Sequence, residues 1–337
     1  MARYVIRRLL LALPALLGLI LLTFILSRVI PGDPAATLAG DAATPAMIAE
    51  IRAQYGLDRP VIEQAVIHVR QVLTGDFGKS IFSGRPVADE ILQRLPATLE
   101  LTVVALLIAV CLGVPLGLLA ALNHNGLIDH LVRVVSVGGL ALASFWLAIM
   151  LQLLFAMELD LLPLRGRIDV ALGLPPRVTG FVLLDSLIAG RIDLFLNGIS
   201  HLILPAITLS LPGLATIARF TRSGVLEVLQ KDFVLYAKAV GYGRFRLAAI
   251  YVLRNAVTLV VTQIGLLFGA LISGAVAVEA IFDWPGLGTY SVQAIISADY
   301  KVLLAVTLVV GFVYAVVNVL VDVAQAIIDP RVAEDVA

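Results

Sequence analysis

Six stretches of this chain are each apolar enough, over about 20 residues, to cross a hydrocarbon layer: roughly Leu9–Ile30, Leu99–Leu122, Val134–Met157, Leu202–Phe220, Ala256–Ile281 and Val302–Ile328. In lipid every backbone N–H and C=O needs a protein partner, so such stretches fold as helices. Charged residues make up only 14% of the 337, against about 25% in a soluble domain. The expected fold is therefore all-α, a polytopic membrane protein with six transmembrane helices. Arg3, Arg7 and Arg8 precede the first stretch, as in a secretory leader. Its apolar core from Leu9 to Leu26 is nevertheless longer than the roughly 7–15 residues of a leader core. It is read as a retained helix.

Lys and Arg in the short flanks place the N-terminus inside. Twelve of the 24 then lie inward: Arg3, Arg7, Arg8, Arg133, Arg219, Arg222, Lys231, Lys238, Arg244, Arg246, Arg254 and Arg331. Much of the remainder falls between Ile30 and Leu99, a stretch long enough to translocate regardless of its charge. Six spans return the C-terminus to the cytosol. Acidic and basic residues balance, 24 against 24, and no aromatic–basic stripe points to nucleic acid. Cys111 is the single cysteine and sits in an apolar run, which excludes disulfides and a cysteine-based metal site. His68, His124, His130 and His201 are scattered, so no metal site is expected. No spaced Ser/His/Asp set on one membrane face suggests a hydrolase.

The polar parts are organised. Between Pro31 and Pro96, Thr44-Pro45 reads as a helix start, with Met47, Ile48 and Ile51 on one face. A second helix, Val61 to Leu73, is closed by Gly75, and both need something to cover. Gly78-Lys79-Ser80 fails as a phosphate-binding loop, because the required earlier glycine is Leu73. The loop from Leu161 to Ser200 holds a short apolar segment, Phe181–Leu184. The most informative polar stretch runs from Arg219 to Arg254, with seven Lys/Arg against Glu227 and Asp232. Leu226, Leu229, Phe233, Tyr236, Ala237 and Val240 recur at three- and four-residue steps, the pattern of one amphipathic helix. Glu227 and Lys231 form an i,i+4 pair on it, and Gly241-Tyr242-Gly243 breaks it. Two readings stand: a helix lying on anionic lipid heads, where each basic residue contributes about 1 kcal/mol, or a device that takes force from a soluble motor.

The residues resemble a family. Asp232–Gly241, followed by Arg254-Asn255-Ala256, looks like the cytoplasmic coupling loop of permease subunits of bacterial ABC importers in the dipeptide/oligopeptide group. Gly241 occupies the loop's glycine and Ala237 its last alanine, while Leu235 and Tyr236 replace its glutamate and first alanine. Similar to the group, in order, are Pro31-Gly-Asp-Pro34, Tyr55-Gly-Leu-Asp-Arg-Pro60, Gly75-Asp-Phe-Gly78 and Arg94-Leu-Pro-Ala-Thr-Leu-Glu-Leu101. Leu204-Pro-Ala206, Arg219-x-x-Arg222-Ser223, Trp284-Pro-Gly-Leu-Gly288 and Asp329-Pro-Arg331 complete the set. The resemblance implies the type I ABC importer permease fold. It divides the chain into an N-terminal transmembrane helix (1–30), an extracytoplasmic segment (31–96), a five-helix core (97–328) carrying the coupling loop (221–254), and a cytoplasmic tail (329–337).

It also implies a set of partners: a second permease in a heterodimer, two cytosolic ATPases that hold ATP and Mg, an extracytoplasmic substrate-binding protein, and membrane lipid. The chain itself would bind no cofactor and catalyse nothing. It would sit in the bacterial inner membrane with both termini cytoplasmic. The ATPase-coupling residues would be Phe233, Tyr236, Ala237, Lys238, Ala239, Gly241, Arg244 and Arg246, with Gly241 at positive φ for a tight exit. The substrate would be a di- or oligopeptide; relatives carry glutathione or nickel complexes. An ion-gradient-driven secondary transporter is the rival, for which a clear internal repeat is missing. Among polar groups within spans, Gln263 is the favoured pathway residue, and Glu279 and Asp283 would touch the binding protein or an outer gate. Asn318, Asp322 and Gln325 share one face, read either as a pathway lining or as hydrogen bonds between subunits. Trp284 is expected at the membrane interface, and Pro115, Pro205 and Pro212 are expected to kink their helices.

Overall fold

The computed structural model describes residues 2–29, 44–54, 58–243 and 253–328. Among these the chain is helical, with one isolated bridge, Lys79 to Pro86, in place of any strand. In chain order the helices are α1 (Ala2–Val29), α2 (Pro45–Gln54), α3 (Val61–Leu73), α4 (Val87–Leu122), α5 (Leu127–Ala141), α6 (Ser144–Leu151), α7 (Val182–Ile188), α8 (Ile192–Leu229), α9 (Asp232–Ala239), α10 (Leu253–Phe282), α11 (Leu287–Ile296) and α12 (Tyr300–Ile328). Five are long and apolar enough to span a membrane, or six if α5 and α6 count as one bent span.

That pair corrects the expected third span. Val134–Met157 is not one helix: α5 and α6, which continues into a π-turn over Gln152–Glu158, meet at 102°. Leu142 and Ala143 at the joint are extended, with ψ of 126° and 127°. Gly138 and Gly139 just before it weaken the helix that approaches the break. The prolines, by contrast, lie inside continuous helices: Pro96 and Pro115 in α4, Pro205 and Pro212 in α8. The spans also begin earlier than apolarity suggested. With 36 and 38 residues, α4 and α8 reach about 54 and 57 Å, well beyond the roughly 30 Å of hydrocarbon.

The chain divides into two compact units. One holds Met1–Arg8, Arg94–Tyr290 and Val316–Ala337; the other holds Leu9–Gln93 and Ser291–Ala315. In the second unit, Asp299 pins the loop that failed as a phosphate cradle. Its Oδ2 accepts from Ser80 Oγ at 2.7 Å and from Ile81 N at 2.7 Å, and Val87 N donates to Gly78 O at 2.9 Å.

The first unit is built around α8, which packs against α5, α7 and α10. Its core draws Leu101, Ala105 and Ala109 from α4, Leu214 and Ile217 from α8, and Leu267, Leu271 and Ala275 from α10. Along α4 the sequence Ala105, Ala109, Gly113, Gly117, Ala121 places a small residue at every fourth position. Helices in lipid gain little from mutual burial of apolar surface, and close backbone approach along such a stripe substitutes for it. A Cβ on Gly113 would stand 2.9 Å from Ile217 Cγ2, and one on Gly117 would overlap Ala218 O and meet Thr221 Cβ at 2.7 Å. The obstacle at Gly117 is backbone, which cannot swing aside. Gly117→Leu is expected to destabilise the purified chain by about 3 kcal/mol, read as a fall in its thermal midpoint in detergent. An unchanged midpoint would mean that α4 and α8 do not pack this closely.

In the loop ahead of α8, α7 stacks on α8 and buries Asp185. Burial pushes the Asp185 carboxyl up, but hydrogen bonds from Thr179 N and Oγ1, Gly180 N and Val178 N outweigh it. The group ends below its ordinary range. The segment is a folded cap on α8.

Candidate functional site

The stretch after α8 was expected to form one amphipathic helix from Leu226 to Val240. It forms two. The long helix α8 ends at Leu229, a tight turn passes through Gln230 and Lys231, and α9 restarts at Asp232. The turn is closed by Lys231 N on Val228 O at 3.1 Å and Val234 N on Lys231 O at 3.0 Å. The Glu227–Lys231 pair spans it at 3.5 Å. The apolar residues divide accordingly. Val234 and Ala237 turn inward and pack with Ala121 of α4 and Val225 and Val228 of α8. Phe233, Tyr236 and Val240, at 44%, 73% and 59% exposure, form the opposite face with Ala239.

At its far end Tyr242 N donates to Ala237 O at 3.2 Å, with Gly241 between them at φ 94°. This is the glycine-terminated turn in which a left-handed residue ends a helix and the following residue packs back on it. Tyr242 joins the apolar cluster under α9. So α9 is fixed by one face and both ends, and it offers an aromatic ridge on the other face. Lys238 belongs to this helix; Arg244 and Arg246 lie outside the described residues, as do Pro31–Pro34 and Asp329–Arg331.

One turn back along α8, a carboxylate that the sequence reading passed over holds the same end of the unit together. Asp129 on α5 is fully buried. It accepts from Arg222 Nε at 2.6 Å and Nη2 at 2.8 Å, from Arg133 Nη2 at 2.7 Å and from Asn125 N at 3.0 Å. Arg222 therefore faces a carboxylate through both arms of its guanidinium, the strong form of this bond. The readable signal was local: an acid four residues before Arg133 at the start of an apolar run.

The opposite end of the unit is organised around the Trp284–Gly288 motif. Trp284 is not an interface anchor. It is almost wholly buried, and its Nε1 donates to Ala97 O at 2.9 Å. Glu279 is not a surface contact either. It is fully buried, accepting from Thr98 Oγ1 at 2.6 Å, Gly288 N at 2.7 Å and Thr289 N at 3.1 Å. It thus occupies the donor-rich start of α11 itself, which leaves it no surface to offer a docking protein. The turn fits only glycine at 288, where a Cβ would come within 2.6 Å of Val276 Cα. Asp283, by contrast, is exposed and left-handed at φ 50°, ending α10 as Gly241 ends α9: Trp284 N donates to Glu279 O at 2.9 Å. Nearby, Arg167 pairs with the buried Glu100 at 2.9 Å and lies over the Trp284 ring.

Of the other polar candidates, Asp322 and Gln325 have partners within the chain. Asp322 pairs with Arg8 at 3.2 Å and Gln325 with Thr262, while Asn318 Oδ1 packs beside Gly265. The shared face thus ties α12 to α1 and α10. Gln152 donates to Leu164 O at 2.8 Å and Ile281 O at 3.3 Å. Gln263 is half-buried, next to a stripe of α10 in which Thr262, Leu266, Ala270, Ser273 and Ala277 are exposed. Among the described residues no group of three or more His, Cys, Asp or Glu could hold a metal.

The sequence matches two family models. Residues 113–334 match the binding-protein-dependent transport system inner membrane component, and residues 1–102 match the N-terminal component of such transport-system membrane proteins. Relatives include the probable D,D-dipeptide transport system permease DdpB of Escherichia coli, 43% identical over 94% of this chain and 93% of that one. The di/tripeptide transport system permease DppB of Pseudomonas aeruginosa is 40% identical over 98% and 99%. The dipeptide transport system permease DppB of Alkalihalophilus pseudofirmus is 39% identical over 98% and 99%. The chain belongs to the family of binding-protein-dependent transport system inner membrane components, and it is a multi-pass membrane protein with the type I ABC importer permease fold.

Proposed function

We propose that this chain is the permease subunit of an ATP-driven importer for di- or oligopeptides, working by alternating access in the cytoplasmic membrane. The observation that carries the coupling role is α9. It is a short helix between two spans, fastened by Val234 and Ala237 and presenting Phe233, Tyr236 and Val240 outward. Such a ridge fits a cleft on a soluble subunit, the helix-in-groove mode of recognition.

In this reading two ATPase subunits hold ATP and Mg, one of them grips the α9 ridge, and a second permease completes the pathway. The exposed stripe of α10 beside Gln263, small or polar except for Leu266, suits either the pathway or the seam with that second permease, since small residues permit close approach. An extracytoplasmic binding protein delivers the substrate at the Trp284 end, where Asp283 is exposed. Both termini then lie in the cytoplasm with α9. The packing of Arg8 against Asp322 and of Gln325 against Thr262 supports this, because Thr262 lies in the first turns of α10, the next described helix after α9.

The test is purification from mild detergent with mass spectrometry of the co-purifying proteins, followed by uptake of labelled dipeptide in proteoliposomes. A second permease, two ATPases and uptake that requires ATP are expected. Uptake driven by a proton or sodium gradient without ATP would replace this reading with a secondary transporter. ATP-driven uptake of glutathione or a nickel complex, with none of dipeptides, would change the substrate only.

A further inference from the structure

The Asp129 clamp lies where the proposed coupling helix meets the bundle, and its geometry exceeds what packing alone requires. One fully buried carboxylate gathers donors from three segments: Asn125 in the loop after α4, Arg133 on α5 and Arg222 on α8. Arg222 is one turn from Val225 and two from Val228, the α8 residues on which α9 rests. Further along, α5 stays against the same helix, with Gly139 3.4 Å from Leu211 Cγ as measured from an added Cβ. Then α5 stops. Leu142 and Ala143 are extended, no side-chain cap closes the start of α6, and the chain turns through 102°. Thus α5 is tied to α8 on one side and joined to α6 by two non-helical residues, the usual form of a hinge.

We propose that Asp129 is a positioning residue for transport: it locks α5 to α8 and α9 as one lever, with α5 turning relative to α6 at Leu142–Ala143. Movement imposed on α9 then reaches α5 directly, and the joint absorbs the angle between α5 and the rest of the bundle. This rests on α9 being the helix the ATPase grips. A bidentate guanidinium suits the task, because it fixes direction as well as distance, which a lysine in its place would not.

The experiment uses the complete permease complex in lipid, with Cys111→Ser and spin labels at Val137→Cys on α5 and Gln230→Cys in the turn that joins α8 to α9, both exposed. Inter-label distances are measured without nucleotide and with ATP, Mg and vanadate. With Asp129 intact the distance should agree between the two states to within about 2 Å, the scale of packed-helix adjustment. With Asp129→Asn it should match the parent without nucleotide and shift by about 5 Å or spread widely with it. Asp129→Glu should restore the parental behaviour. A parental pair that itself moves by about 5 Å overturns the lever. So does an Asp129→Asn pair that never departs from the parent, or one that spreads equally with and without nucleotide, which marks simple loss of packing. The nucleotide-free arm reads the clamp alone, whereas release of the ATPases by a change at Gly241 reads the coupling assignment, so the two ideas fail separately.

Discussion

Gly241→Trp should abolish transport while the protein still inserts and folds. Gly241 is at φ 94°, and among the described residues no atom lies within 4 Å of an added Cβ, so these residues leave room for a side chain while the backbone does not favour one. A left-handed L-residue costs about 1–2 kcal/mol, small enough for the bundle to survive. The indole, however, would project beside the Tyr236 and Val240 ridge, into the space where a partner's cleft must close. Gly241→Ala separates the two effects, since it carries the strain without the bulk; it should keep most of its uptake. Loss of ATPase subunits from the Trp variant on purification, with normal yield of the chain itself, is the expected signature. Normal uptake by a well-assembled Gly241→Trp complex would sink the assignment of α9 as the coupling helix.

That glycine was legible in the sequence because a left-handed helix end has a chemical signature. Other features had none. The residues at 226, 229, 233, 236, 237 and 240 keep helical spacing across Gln230 and Lys231, so periodicity could not show the turn that separates α8 from α9. Which of the residues bind the bundle and which face outward is a property of that turn. The break between α5 and α6 falls on Leu142 and Ala143, both good helix formers, inside a largely apolar stretch. Its only trace is the glycine pair before it. Asp129 could be matched locally to Arg133, but its stronger partner, Arg222, lies 93 residues on, and nothing at the level of spacing joins them. Trp284 shows the opposite failure. An aromatic at the end of a span is the mark of an interface anchor, and it is equally the mark of a large core residue whose N–H has found a carbonyl. Ala97 O decides between them, and only the fold supplies Ala97.

The same ambiguity makes Glu279 the site of the second large effect, this time on the fold. An acid near the outer end of a span reads as a gate or a docking contact, but here it is the acceptor around which the Trp284–Gly288 turn is folded. Glu279→Ala would strand three buried donors, Thr98 Oγ1, Gly288 N and Thr289 N. Each buried donor left unmade costs about 1–3 kcal/mol, so the loss should be about 3 kcal/mol or more. The turn cannot easily collapse into the space, because Gly286 and Gly288 already pack directly on the glutamate and on Val276. Glu279→Gln should fall between: its oxygen keeps one side of the contact, while its amide presents N–H groups to donors on the other. Trp284→Phe loses one hydrogen bond, to Ala97 O, and should cost only about 1 kcal/mol. Thermal midpoints of the purified complex should therefore rank the parent above Trp284→Phe, then Glu279→Gln, then Glu279→Ala. The decisive comparison is with uptake. If Glu279→Ala melts like the parent and yet no longer transports, the carboxyl group serves a gate after all, and its hydrogen bonds to the turn are incidental. If midpoint and uptake fall together, and Glu279→Gln recovers part of both, the group acts by holding the start of α11 in place.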